Sequence, residues 1–189
     1  MARRSAWMAL AALSFAGCAA PPLRLYTLGE LPVGEVSRPL PPRAKVIEVD
    51  RLILPNDADS EDILLRDGDV VERSPTGRWV SRLSLLATDL VTARLAMRAP
   101  DTLVTDQWLA EAPDYRVMIH IARLDVANNG EASLDADWQI SARDPGPGPI
   151  RGRAQIRLTG PTATDRDVVR LEAALFDRLA DAIQIPVTG

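Results

Sequence analysis

Hydrophobic residues from about residue 44 onward recur with two periods, one typical of strands and one of helices. Residues 115–122 and 134–141 alternate apolar and polar side chains, which predicts two strands with one buried face each. A third alternating stretch, 151–158, follows a Pro-Gly loop. Two longer stretches, 79–98 and 165–183, carry apolar residues at helical spacing and predict amphipathic helices.

The region between residues 44 and 78 has the composition of short strands. A β-rich run ends at Pro55, and a hairpin is predicted around Asp67-Gly68-Asp69 because Asp-Gly suits tight turns. Ser74-Pro75-Thr76-Gly77 is expected to close that hairpin, and a short strand near Leu103 is expected after the first helix. This order predicts an α+β fold, a mainly antiparallel sheet with two amphipathic helices packed on one face. Residues 44–189 are then expected to be a single domain.

The segment 18–43 differs from that domain in composition. It contains six prolines, and proline removes a backbone donor and favours extended conformations. We therefore expect a lipidated, Pro-rich tether over 18–43. Within it, the apolar residues around Tyr26-Thr27-Leu28 are expected to form a short strand that docks on the domain.

The first 17 residues have the three parts of an export signal. Arg3 and Arg4 are followed by an apolar run over 7–16, and small residues precede Cys18. The run is too short to cross a membrane, since about 20 residues are needed. Residues 1–17 are therefore expected to be a lipoprotein signal peptide that is removed.

Cys18 is the only cysteine in the chain, so it has no intramolecular disulfide partner. Phe15-Ala16-Gly17-Cys18 resembles the lipobox of bacterial lipoproteins, with Phe15 where leucine is usual. That resemblance implies covalent diacylglycerol and N-acyl lipid on Cys18, and two or three acyl chains anchor a protein stably. Ala19 in place of Asp favours sorting to the outer membrane. An ordinary signal peptide with an incidental cysteine is the alternative. No other cofactor is expected.

The charge of the chain argues against one class of partner. Removing residues 1–17 takes away two arginines and no acids, so the formal charge falls from −4 to −6. An acidic chain with two tyrosines and two phenylalanines is a poor candidate for binding nucleic acid.

Candidate catalytic and metal-binding residues are few. His120 is the only histidine and lies on the polar side of a predicted strand, where a catalytic base would still need a nucleophile and an orienting partner. No Gly-x-Ser-x-Gly elbow occurs. Four acids at 57, 59, 61 and 62 could bind calcium, but they lack EF-hand spacing, and a solvated loop is the stronger interpretation. The sequence predicts no catalytic site and no metal site.

Three further sets of residues have a structural and a functional interpretation. Arg151, Arg153 and Arg157 could bind anionic headgroups, but pairing with Asp135 and Asp137 across antiparallel strands is favoured. The two tryptophans Trp79 and Trp138 are expected in the core. The continuous apolar stretch of Leu52, Ile53 and Leu54 is a candidate interface, with core burial as the default.

An ordered set of short motifs accompanies the lipobox. It comprises Tyr26-Thr27-Leu28, Gly77-Arg78-Trp79, Pro113-Asp114-Tyr115-Arg116-Val117, the stretch from Gly130 to Trp138, and Leu171-Glu172-Ala173-Ala174-Leu175. In this order the set resembles the PqiC/YmbA-type lipoproteins, the auxiliary lipoprotein component of ABC-type transport systems. The insert around 56–63 and the Pro-Gly loop depart from the family pattern, which puts the geometry of partner binding in doubt.

The resemblance implies a non-enzymatic role in the bacterial envelope. Such proteins are outer-membrane-anchored periplasmic subunits that accompany MCE-domain proteins and ABC permeases in lipid transport, and they can form ring-like homo-oligomers. Two alternatives stay open from the residues alone. One is a lipoprotein that itself binds lipid in an apolar cavity, and the other is an envelope hydrolase.

Overall fold

The structure is a computed structural model that describes residues 22–29, 39–144, 146 and 148–186. Cys18 and the predicted signal peptide lie outside these residues. The described elements are, in chain order, β1 (Arg24–Tyr26), β2 (Val46–Val49), β3 (Asp62–Asp67), β4 (Val70–Trp79), α1 (Leu83–Arg98), β5 (Leu103–Thr105), β6 (Tyr115–Val126), β7 (Glu131–Ala142), β8 (Ile150–Thr159) and α2 (Asp165–Ala182).

The larger of two sheets has five strands in the order β5-β2-β6-β7-β8. The long strands β6, β7 and β8 form an antiparallel meander, whereas the short strand β2 pairs in parallel with β5 and β6. Gly130 makes the β6–β7 turn with φ of 91°, and a Cβ there would lie 2.6 Å from the Gly160 carbonyl oxygen. The predicted α+β class is confirmed, with the longest pairings antiparallel.

The smaller sheet has the order β1-β4-β3 and corrects the predicted start of the first helix. Trp79 was expected to open that helix after a turn, but it is the last residue of β4, and α1 begins at Leu83. Residues 74–77 do not end the hairpin. They form a bulge, and beyond it the pairing of β4 with β3 resumes at Arg78 and Asp62. Such a bulge tolerates Pro75 within a strand.

The predicted short strand before the domain is present as β1. It pairs in parallel with the end of β4, with Tyr26 opposite Trp79, and the Tyr26 carbonyl oxygen accepts from the Val80 amide at 2.9 Å. Leu28, just beyond, is buried in the hydrophobic core. The domain therefore includes part of the segment expected to be a tether.

Both helices pack on the same side of the structure and contact each other. α2 begins with a capping box, in which the Thr164 hydroxyl accepts from the Asp167 amide and the Asp167 carboxylate accepts from the Thr164 amide. Arg94 of α1 holds Asp177 of α2 at 2.7 Å. Trp79 and Trp138 are buried, as predicted.

Neither of the two helices in the described ranges is both long enough and apolar enough to cross a bilayer.

Candidate functional site

One side of the five-stranded sheet is not covered by the helices, and its side chains face solvent. Along β6 the buried residues alternate with exposed ones, and β8 shows the same alternation. We call the central part of this surface the outer sheet face, defined by Ile53, Met118, His120, Asp137, Gln139 and Arg151. Its strands belong to a rigid meander, so its side chains are held in fixed relative positions.

The centre of the outer sheet face is a shallow apolar depression of about 260 Å³. Ile53 is 61% exposed and Met118 is 42% exposed, so two large apolar side chains are in contact with water at this point. Ile53 is fixed beside β6 because its amide donates to the Ile119 carbonyl oxygen at 3.1 Å and its carbonyl accepts from Ile121 at 2.8 Å. The depression is open and shallow, a shape that suits a protein surface better than a small molecule.

The structure divides the candidate interface Leu52, Ile53 and Leu54. Leu52 and Leu54 are buried in the core, whereas Ile53 points to solvent. The correction has a simple cause: an extended backbone sends successive side chains to opposite sides, so Ile53 faces away from the core that Leu52 and Leu54 enter. Only Ile53 remains available for a partner.

A row of ion pairs extends from the depression along β7 and β8. Arg153 holds Asp137 at 2.7 Å and Arg157 holds Asp135 at 2.7 Å, while Arg151 donates to the Gln139 side chain at 3.0 Å. The hydrogen bond to Asp137 raises the pKa of the Arg153 guanidinium. The predicted cross-strand pairing is therefore observed, and the surface presents both signs of charge.

The acidic loop preceding β3 is structural. The Asp59 carboxylate accepts from the Ser84 amide at the start of α1 at 3.2 Å and lies 3.5 Å from Arg51. Burial alone would raise the pKa of Asp59, but the hydrogen bonds from Ser84 and the charges of Arg82 and Arg51 lower it. Within the described part of the chain, no group of three or more His, Cys, Asp or Glu side chains is arranged to hold a metal ion.

One buried acid was not predicted from the sequence. Glu172 of α2 is fully buried, and its Oε2 atom makes no hydrogen bond to any described residue. Burial raises the pKa of this carboxyl to about 8, so the side chain is mostly protonated at neutral pH. Its position between Val168 and Leu175 on the apolar stripe of α2 was the available signal, because a residue at that spacing faces the core.

Glu172 lines a small recess that also contains the Arg66–Asp125 ion pair. The recess has a volume of about 30 Å³, which is enough for a water-sized molecule and far too small for an acyl chain. It therefore does not have the dimensions that the lipid-carrier alternative requires.

His120 lies on the outer sheet face, opposite Asp137 in the β6–β7 register. The residue is exposed and lines the open, shallow depression on that face. A catalytic base normally acts in a site that excludes water and holds a nucleophile within hydrogen-bond reach. The surroundings of His120 are those of a surface residue.

Several residues of the ordered motif set hold the fold together. A Cβ on Gly77 would lie 2.4 Å from the Asp165 carboxylate, so a larger residue here would displace that side chain. The Asp114 carboxylate accepts from the Val46 amide at 2.8 Å and so joins the start of β2 to the chain before β6. These motif residues therefore have structural roles in this fold.

The described elements form a small α+β domain with one exposed sheet face. The sequence matches the family described as ABC-type transport auxiliary lipoprotein component over residues 26–184, and the chain belongs to this family. The suspected resemblance is therefore confirmed. A comparison with curated protein sequences found no match.

Two solved structures share the fold. One is the crystal structure of an uncharacterized protein, with a TM-score of 0.68 and 13% identity over 85% of this chain and 95% of that one. The other is protein XCC0632 from Xanthomonas campestris, with a TM-score of 0.56 and 12% identity over 72% of this chain and 79% of that one. At these identities the likeness concerns the fold alone.

Proposed function

We propose that this protein is an outer-membrane-anchored periplasmic lipoprotein that serves as an accessory subunit of an MCE/ABC-type lipid transport system. The observation that carries the proposal is the family match over residues 26–184, which covers every described element from β2 to α2. The candidate lipobox ending at Cys18 supports it independently. The MCE-domain protein and the ABC permease are the partners that the resemblance implies.

The anchor is assigned to Cys18. A diacylglyceryl group on its thiol and an acyl group on its amine would hold the mature chain at a bilayer, since each buried CH₂ contributes about 0.8 kcal/mol. Ala19, next to it, is the basis for placing the protein in the outer membrane. The anchor concentrates the domain at one membrane and thereby favours encounter with a membrane-bound partner.

The role of the folded domain is docking rather than catalysis. A fixed, solvent-facing sheet with two exposed apolar side chains and a row of ion pairs has the composition of a small protein interface, apolar at its centre and polar at its rim. The partner-binding surface that we favour is therefore the outer sheet face.

The anchor is tested by Cys18→Ser in cells grown with a radiolabelled fatty acid. We expect the label to be lost and the protein to move from the outer-membrane fraction to the soluble periplasm, with the circular dichroism of the domain unchanged. A variant that stays in the membrane fraction would contradict the anchor.

The accessory role is tested genetically. We expect loss of this gene to give the same envelope permeability defect as loss of the gene for the partner permease, and we expect the double deletion to be no more severe. An additive defect would show that the two proteins act in separate pathways and would overturn the proposal.

A further inference from the structure

The position of β1 limits how far the domain can stand from its membrane. Four Cα–Cα steps lead from Cys18 to Pro22, the first described residue, and an extended chain spans at most about 3.6 Å per step. Pro22 therefore lies within about 14 Å of Cys18. For comparison, the 18-residue helix α2 is about 27 Å long. This limit applies when Cys18 carries the lipid, so the inference rests on that part of the proposed function.

The headgroup layer of one leaflet takes up part of that length. A bilayer is about 40–45 Å thick with a hydrocarbon core of about 30 Å, which leaves about 5–8 Å for the headgroups on each side. A lipid-bearing Cys18 is held at the level where its acyl chains enter the core. Pro22, two residues before β1, can then rise only about 6–9 Å above the surface, which is less than the width of one helix.

The residues of β1 have the chemistry that such a position requires. Leu23, directly before β1, is 58% exposed, and Leu25, within this edge strand, is 63% exposed. Neither leucine belongs to the buried core or to the partly buried apolar residues that pack against it. Apolar side chains exposed at a membrane interface can enter the boundary between headgroups and acyl chains.

Basic residues flank the two leucines. Arg24 and Arg166 are exposed and line one open groove together with Leu25. Asp165 lies in the same groove, but its carboxylate accepts a hydrogen bond from the Thr76 hydroxyl at 3.4 Å. Exposed arginines near a bilayer are attracted to anionic headgroups.

We infer that β1 and the adjoining start of α2 form a membrane-contact edge, at which Leu23 and Leu25 insert into the lipid surface and Arg24 and Arg166 face its phosphates. The occupant is the bilayer that carries the anchor. The tether thus positions one particular edge of the domain against the lipid, and the proline-rich residues that follow β1 do not lengthen the connection to Cys18.

This contact fixes the orientation of the molecule. Asp165 lies at the membrane-contact edge, and Ala180, 15 residues further along α2, accepts from Arg98 at the end of α1. At 1.5 Å per residue these two positions are about 22 Å apart. Met97, which is exposed beside Arg98, is therefore a matched control distant from the membrane-contact edge.

The test uses the complete mature chain, residues 18–189, coupled through the Cys18 thiol to a maleimide phospholipid. The vesicles contain phosphatidylethanolamine and phosphatidylglycerol at 3:1 with a trace of radiolabelled phospholipid. A photocrosslinking p-benzoylphenylalanine replaces Leu25 in one sample and Met97 in the other. Chemical coupling supplies the anchor, so the result does not depend on acylation in cells, which the Cys18→Ser experiment tests separately.

We expect about tenfold more phospholipid crosslinking from position 25 than from position 97. Equal yields at the two positions would overturn the inference, as would crosslinking of position 25 mainly to a second copy of the chain. If the variant at Leu25 loses the near-ultraviolet dichroism of the native protein, the same probe at Leu23 provides the same comparison.

Discussion

The carboxyl group of Glu172 makes the stability of this fold depend on pH. Its pKa is raised from 4.5 to about 8 because it is buried and its Oε2 atom has no hydrogen-bond partner among the described residues. Such a group is tolerated in a core when it is protonated and is costly when it is charged. The Arg66–Asp125 ion pair lines the same recess as Glu172.

The sign of the pH effect follows from proton linkage. In the unfolded chain Glu172 ionises near pH 4.5, whereas in the folded protein it keeps its proton to about pH 8. Between these values unfolding releases a proton, so the free energy of unfolding falls as the pH rises. At about 1.4 kcal/mol per pKa unit the fall is at most about 5 kcal/mol.

We predict that Glu172→Gln removes this fall. Urea unfolding at pH 5 and at pH 8 is the measurement, with the free energy of unfolding compared between the variant and the native protein. The native protein should lose a few kcal/mol more than the variant over this interval. Parallel curves for the two proteins would show that Glu172 does not titrate as proposed.

At the scale of the elements, α2 depends on the capping box at its start. The Thr164 hydroxyl accepts from the Asp167 amide at 3.3 Å, and the Asp167 carboxylate accepts from the Thr164 amide at 3.1 Å. These bonds satisfy backbone donors that a helix leaves free at its first turn. Because Asp165 of the same turn lies at the membrane-contact edge, the cap also fixes that edge.

We predict that Thr164→Ala lowers the free energy of unfolding by about 1 kcal/mol, the usual value for a lost N-cap. Thr164→Ser keeps a hydroxyl at the same place and serves as the control, with a loss of less than half that amount. Thermal unfolding of the two variants at one pH provides the comparison. Equal losses would mean that the cap does not stabilise α2.

The sequence was most informative about elements with a clear period. The meander of β6, β7 and β8 was predicted because alternating side chains reflect one buried face, and the second helix was predicted from its apolar stripe. The predicted start of the first helix was wrong by several residues, because β4 ends at Trp79 and α1 begins at Leu83. Its position is set by pairing with β1 and by the bulge opposite Asp62, and neither contact can be read from local sequence.

The candidate interface shows that the sequence alone does not determine which apolar residues are exposed. An apolar run over Leu52, Ile53 and Leu54 indicates burial or contact, but only the fold determines which of the three faces solvent. Met118, which completes the apolar part of the outer sheet face, belongs to a distant strand. Tertiary structure brings these two side chains together.

At the scale of the whole molecule, the long edge strand β8 is available for self-association. It pairs with β7 on one side, and no described strand pairs with its other edge. An unpaired edge of ten residues is a template for strand addition, although its arginines at alternate positions moderate the tendency. Ring-like homo-oligomers are implied by the family resemblance and remain a proposal for this chain.

We predict that the complete mature chain with Cys18→Ser forms an oligomer through this edge. Light scattering coupled to size exclusion should give a mass that is a multiple of the monomer mass at micromolar concentration. A proline at Gln155, an exposed position of β8, should shift the protein to monomer. A monomer in both samples would remove self-association through β8 from the account.

The most direct test of the account is capture of its partner. The lipidated protein, carrying an affinity tag at its C-terminus, is isolated from envelopes solubilised in a mild detergent, and the proteins that accompany it are identified by mass spectrometry. The same capture is carried out with Ile53→Glu/Met118→Glu, which places two charges on the outer sheet face, and with Met97→Glu as a control at an equally exposed site. We predict that the native protein and the control recover an MCE-domain protein and its permease, and that the double variant recovers at least about tenfold less. Recovery of neither partner by the folded, lipidated native protein would contradict the account.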